Sequence, residues 1–259
     1  MDSNGKIVGV IALKGGVGKT SVVANLGSSM AREFQKKVLV IDANFSTPHL
    51  GLHMGLVKPE KTLHDVLNGS AEHHEAIYEH PSGIHIMPGS LSPPSINPLA
   101  LKDMVDSLRD KYEMIILDSS PALNDELFAT MNASDELLVV SSPDYPTLSS
   151  TLHAAQIARE RNAPIKGLII NKSRGKKYEL KKRDIEKSSG ISVLSVLSDD
   201  EKVLEALSTM TPVTLYSPRN SISKDYKKLA NLVINNYETP GFLSKARKRW
   251  SSLRKPKRK

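Results

Sequence analysis

The chain has 259 residues, enough for one large α/β domain or two small ones, and contains no cysteine, which excludes a disulfide framework and any thiolate metal site and fits a reducing cytosol. Its net charge is +8, yet residues 241–259 hold nine of the 36 Lys and Arg and none of the 28 Asp and Glu, so the rest of the chain is close to neutral and the basicity marks a terminal interaction segment rather than a basic fold. No apolar run approaches the ~18 residues of a membrane-spanning helix, and the polar start, MDSNGK, has no signal-peptide core.

Residues 7–13 (IVGVIAL) read as a buried strand and residues 20–34 as a helix; the loop between them, residues 14–20, reads KGGVGKT. A Gly-rich loop in that setting turns successive backbone N–H groups into one concavity, and the helix N-terminus adds partial positive charge, so the loop suits a polyphosphate. Gly15, Gly16 and Gly18 let the backbone approach oxygens that a Cβ would obstruct, with Val17 and Ser21 completing the phosphate-facing turn. Lys19 is placed to reach β- and γ-phosphates, and the Thr20 hydroxyl to ligate Mg²⁺.

Residues 37–42 (KVLVID) form a second buried strand that ends in Asp42, followed by a loop with turn chemistry at residues 46–48. Residues 62–67 read as a short helix with Thr62 near its N-cap and Gly69 at its stop, 84–87 as a brief strand closed by Pro88 and Gly89, and 98–111 as a helix. Residues 113–118 (EMIILD) are another strand ending in an acid, Asp118. Residues 136–141 and 166–171 are strands, the latter ending at Asn171; 147–161 and 178–188 are helices; segments 193–197, 199–208 and 221–237 complete the series. This alternation predicts a single α/β domain over residues 1–237, a mostly parallel twisted sheet with helices on both faces and a ligand site at the C-terminal strand edges, where Lys14, Asp42, Asp118 and Asn171 fall. The histidines at 73, 74 and 80, interleaved with Glu72, Glu75 and Glu79, read as a polar helix face rather than a metal site. Residues 172–187 carry eight basic residues against three acids, a solvated helix face by default and a DNA or partner patch in the sharper reading.

Beyond Pro240, residues 238–259 form a separate element. At about 100° per residue, Phe242, Leu243, Ala246, Trp250 and Leu253 fall within an arc of roughly 100°, with Lys and Arg around the remainder. A basic amphipathic helix with Trp and Phe on its apolar face suits a membrane surface; a disordered basic tail or a DNA-binding arm is the alternative. Each buried large apolar side chain contributes about 1.5–3 kcal/mol, and each Lys or Arg near an anionic surface about 1 kcal/mol. Ordering so short a helix opposes both, so one tail binds weakly and two tails on a dimer bind much more tightly.

The loop departs from the general GxxxxGK[ST] pattern: position 13 is Leu, and Lys14 follows it. It resembles the deviant Walker A motif, KGGxGK[ST], of the MinD/ParA family of P-loop ATPases, on its MinD-like side, and segments 62–69, 86–89, 118–121 and 213–218 are similar to that family as well. The resemblance implies ATP and Mg²⁺ as cofactors and an ATP-dependent homodimer, in which Lys14 reaches across the interface to the partner subunit's nucleotide. It makes Asp118, followed by Ser119, Ser120 and Pro121, the Walker B acid holding Mg²⁺ through water, together with Thr20 and Asp42; where the family usually has a glycine shortly after the proline, this chain has Ala122 and Leu123. It places switch I at residues 42–44. There the family usually has Asp-x-Asp, the second acid orienting or activating the attacking water, whereas here that position is Asn44. An amide orients water but accepts no proton in a useful range, so the catalytic set Lys14, Lys19, Asp42 and Asn44 implies slow hydrolysis. Asn171 would contact the adenine edge with its donor and acceptor, and Asp199, followed by Asp200, lies at a second base-contacting loop. The implied function is a MinD-like ATP-binding protein that attaches reversibly to the anionic inner membrane surface and, with a protein partner or activator, positions division or envelope machinery. A ParA-like DNA-partitioning ATPase and a non-hydrolysing ATP-gated membrane scaffold are the alternatives.

Overall fold

The computed structural model describes residues 5–235. β1 (Lys6–Ile11) leads through the glycine loop into α1 (Lys19–Phe34), followed by β2 (Val38–Ala43), α2 (Leu50–His53), α3 (Leu63–Leu67), β3 (Tyr78–Glu79), β4 (His85–Met87), α4 (Leu101–Asp106), β5 (Met114–Ser119) and α5 (Asp125–Ala133). Then come β6 (Glu136–Ser141), α6 (Tyr145–Glu160), β7 (Ile165–Ser173), α7 (Lys182–Ser189), β8 (Val193–Ser198), α8 (Glu201–Ser208), α9 (Val213–Tyr216) and α10 (Ser221–Ile234). Among the described residues the strands form one sheet in the order β3-β4-β2-β5-β1-β6-β7-β8. Every pairing is parallel except that of the short edge strand β3 with β4.

The period-2 alternation of the strands decides which helices lie on which face. Val8 and Val10 of β1 and Ile116 of β5 pack with Val22, Leu26 and Met30 of α1 and with Tyr226 and Leu229 of α10. Their neighbours Ile7, Ile115 and Leu117 point the other way, into a cluster with Leu101 and Val105 of α4 and Ala129 of α5. Farther along that second face, Ile11, Val139 and Ile170 meet Leu148 and Ala155 of α6 and Ile185 of α7. Both faces of the central strands are therefore buried, which is why those strands read as unbroken apolar runs.

Four local expectations change. The helix expected over 98–111 is broken: α4 is flanked by single 3₁₀ turns at Pro98–Ala100 and Arg109–Lys111. The Ser107 hydroxyl turns back to the Met104 carbonyl, and the Arg109 guanidinium reaches sideways to Asp106, Asp135 and the Gly5 carbonyl. α5 has no counterpart among the expected elements, although Asn124 accepts from the Leu127 N–H as its N-cap and Asp125 and Glu126 fill its first turn, a readable start signal. β7 continues two residues past Asn171. The helix expected from 178 starts at Lys182, because Glu179 holds Ser173, Arg174 and Gly175 with its carboxylate and Leu180 N–H donates to the Pro143 carbonyl. Among the described residues no helix is long and apolar enough to cross a membrane. Phe242, Leu243, Ala246, Trp250 and Leu253, which carry the membrane reading, lie outside the described residues.

Candidate functional site

Three strand ends converge at the glycine loop. β5 lies between β1 and β2, and Asp118 is the register partner of both Val10 and Asp42. Adjacent parallel strands sit about 4.8 Å apart, so the two carboxylates share one small volume. Both are buried, Asp42 completely. Lys19, at the first residue of α1, is buried as well and pairs with Asp118. Asp42 accepts from the Leu50 N–H at 2.8 Å and the Asn44 N–H at 3.4 Å. Burial, reinforced by the Asp118 charge, pushes the Asp42 carboxyl up to about 8 against the opposing pull of the Leu50 N–H and Lys19. Below about pH 8 Asp42 therefore holds its proton, and the Lys19–Asp118 pair carries the charge of this pocket. Asp42 and Asp118 offer hard carboxylate oxygens, and Thr20 follows Lys19 at the start of α1, a donor set whose chemistry fits Mg²⁺.

The loop owes its shape to its glycines. Gly16 and Gly18 have φ of 79° and 85°, the left-handed region where a side chain strains the backbone. A Cβ on Gly18 would also come within 2.4 Å of Asn171 Nδ2, whereas one on Gly15 would meet nothing within 4 Å. Two side chains from β7 fasten the loop: Asn171 Nδ2 donates to the Val17 carbonyl at 2.8 Å and Lys172 Nζ to the Gly16 carbonyl at 2.7 Å. Asn171, expected at the base, lies beside the glycine loop with its donor end turned to Val17. Lys172, read from the sequence only as part of a basic run, belongs to the loop's support; no local pattern announces it, because the contact spans 156 residues. Asp199 follows β8, with its backbone N–H on the Ser173 carbonyl, and pairs with Arg174 at 2.8 Å; Asp200 caps α8.

Lys14 folds back onto its own chain. Its ammonium donates to Thr147 Oγ1 at 2.8 Å and to Asp144 at 3.4 Å, at the N-terminus of α6, and remains 43% exposed. Against partial burial, hydrogen bonds from Ser142 and Thr147 hold the Asp144 carboxyl down to about 2. Asp144 is also the N-cap of α6, so the acid that receives Lys14 is itself rigidly placed.

In the loop after β2, Asn44 Nδ2 donates to the Thr47 carbonyl and, at 3.1 Å, to Thr47 Oγ1, so the amide closes its own turn. Two residues on, Ser46 donates its hydroxyl and its N–H to Glu126, a nearly buried carboxylate in the first turn of α5. Glu126 escaped the sequence reading together with α5; through it the loop after β2 is tied to the helix after β5.

A glycine-rich loop joining a central parallel strand to a helix, with a buried lysine at the helix start and two strand-end aspartates facing it, defines an α/β P-loop nucleotide-binding protein. A family model described as AAA domain matches residues 5–162. An uncharacterized ATP-binding protein of Methanocaldococcus jannaschii is 30% identical over 230 residues, covering 88% of this chain and 87% of that one. The septum site-determining protein MinD of Thermotoga maritima is 28% identical over 240 residues, 88% of each chain. The solved structure of MinD of Pyrococcus horikoshii complexed with Mg-ADP superposes with a TM-score of 0.83 at 27% identity, covering 88% of this chain and 95% of that one. The chain belongs to the AAA-domain family and, within it, to the MinD/ParA group on its MinD side.

Proposed function

We propose that the chain binds ATP with Mg²⁺ at the loop 14–20, dimerises around it, and attaches reversibly to the inner face of the cell membrane through residues 238–259, to position division or envelope machinery with a protein partner. The observation that carries this reading is the convergence of Lys19, Asp118 and Asp42 beneath a loop that also presents an exposed Lys14. Lys19 would exchange Asp118 for the β- and γ-phosphates, and Thr20, Asp42 and Asp118 would hold Mg²⁺, which supplies charge neutralisation at the phosphate oxygens. Backbone N–H groups of residues 15–21 would cradle the phosphates. Lys14 would leave Asp144 and Thr147 for the nucleotide of the partner, a move open to an exposed ammonium on a long stem. Asn171 and Asp199 flank the side on which the base would lie.

A second reading shares the nucleotide chemistry and denies turnover: an ATP-gated membrane scaffold. Asn44 favours it, because its amide is engaged with Thr47 and offers no base.

Replacing Gly15 with alanine separates fold from site. An added Cβ meets nothing of the chain, so the melting temperature stays within about 1 °C, while ATP affinity falls about tenfold or more, ~1.4 kcal/mol, as the methyl enters the phosphate cradle. Calorimetric titration with ATP checks this, and unchanged affinity places the phosphates elsewhere. Co-sedimentation with anionic vesicles tests the membrane step: the 259-residue chain pellets with Mg·ATP and about 10- to 100-fold less with ADP, as expected for two tails against one. A chain ending at residue 237 stays in the supernatant in both. Equal pelleting in ATP and ADP, or retention on duplex DNA but not on vesicles, overturns the proposal in favour of nucleotide-independent or ParA-like behaviour.

A further inference from the structure

On the face of the sheet covered by α1 and α10 lies a cavity of about 220 Å³, between the C-terminal half of α1 and the turn that leads from α9 into α10. Ser28 and Arg32 follow Lys19 by nine and 13 residues on α1, so this cavity is about 14–20 Å from the glycine loop along the helix axis. Ser29, Thr214 and Ser223 line its inner side, and each is less than a tenth exposed. Its rim is cationic, with Arg32 from α1, Arg219 from the turn, and Lys224 and Lys227 from α10.

Glu33 is the one acid among the lining residues, and it is paired with Lys227 at 2.5 Å. Arg32, Arg219 and Lys224 form no ion pair among the described residues. The chain outside the C-terminal segment is nearly neutral, so three unneutralised cations on one cavity are a local concentration and not a sample of a basic surface. Like charges held together repel, and an anion between them relieves that repulsion and is in turn attracted into a concave, partly desolvated site. Two guanidinium groups offer forked donors that match phosphate geometry. The volume equals about seven water molecules at ~30 Å³ each. That admits one or two phosphate groups and lies below the ~300 Å³ at which pockets for larger ligands begin.

We propose that this cavity binds a compact phosphate-bearing anion of pyrophosphate size, independently of the nucleotide loop. Arg219 and Lys224 from one side and Arg32 from the other close on the phosphate oxygens. The anion is either a free phosphate compound or the phosphomonoester headgroup of a lipid, since both present the same chemistry.

The test is calorimetric titration of the full chain with inorganic pyrophosphate, wild type beside Arg219→Ala/Lys224→Ala. The glycine loop is untouched in both, so whatever it binds contributes equally. Both substituted side chains are exposed, and unchanged melting of the anion-free variant verifies its fold. Wild type is expected to show a binding event that weakens about 10- to 100-fold in the variant, the range for losing charge-assisted hydrogen bonds. Flotation of chains ending at residue 237, with and without the two substitutions and free of the segment proposed to bind membrane, on phosphatidylcholine vesicles with and without phosphatidic acid then separates the sources. A loss of phosphatidic-acid binding in the variant assigns the lipid headgroup, and unchanged lipid binding beside lost pyrophosphate binding assigns the free anion. Superimposable pyrophosphate titrations, or a variant that differs only in binding duplex DNA, overturn the proposal.

Discussion

Nucleotide-free Lys19→Ala protein is expected to lose about 3–5 kcal/mol of stability, the cost of removing one member of a buried ion pair. Lys19 and Asp118 are both buried, and Asp42, fully buried, faces Asp118 across the β2–β5 register. Without the ammonium, two carboxyls remain in one dry volume, and they respond by holding protons. The Asp42 carboxyl, already raised to about 8 with Lys19 present, rises further when that favourable charge is gone. A carboxyl whose folded-state value is raised contributes stability that is complete below its unfolded value near 3.8 and is lost as pH climbs through the folded value. The variant's deficit relative to wild type should therefore be smallest near pH 5 and grow toward pH 9, and Lys19→Ala/Asp118→Asn should recover part of it. Urea denaturation at the two pH values reads all three statements. A Lys19→Ala chain as stable as wild type at pH 9 would show that the ammonium is not the charge that holds this pocket together. The same variant should bind ATP at least about 100-fold more weakly, because two charge-assisted contacts to phosphate, ~1.5–3 kcal/mol each, are lost.

Asn44→Asp is expected to raise phosphate release from Mg·ATP by roughly 10²- to 10⁴-fold, the span that a positioned general base contributes. The present amide cannot accept the proton of an attacking water, and it is held in its turn by donating to Thr47. A carboxylate at the same place has no N–H to give the Thr47 carbonyl, so that contact becomes a repulsion between oxygens and the side chain is released toward the site. The remaining elements, Lys19, the two strand-end aspartates and the loop, are already assembled. The measurement is single-turnover phosphate release for both proteins with ATP affinity determined in parallel. Turnover that appears only in the variant supports the gated scaffold; slow turnover in both, faster in the variant, supports the ATPase reading; and identical rates remove position 44 from the chemistry.

The glycine loop, the α/β class and the two strand-end acids were legible in the sequence because each depends on short-range physics: a stretch of backbone with left-handed glycines, a helix start, and apolar runs that must lie buried on both sides. The segmentation failed where a distant group decides the local conformation, as at Arg109, whose contacts with Gly5 and Asp135 belong to a turn and not to a helix. Tertiary structure alone decided the strand order, which sets Asp42 beside Asp118 although 76 residues separate them. It also chose the resting partners of Lys14, 130 and 133 residues away, the seat of Lys172 on the loop, the tether from Ser46 to Glu126, and the cationic cavity between α1 and α10. A lysine or a glutamate in the sequence has a charge and a reach but no direction; only the packed sheet, by bringing remote strand ends and helix termini to one edge, supplies the counter-charge at a distance where its energy matters.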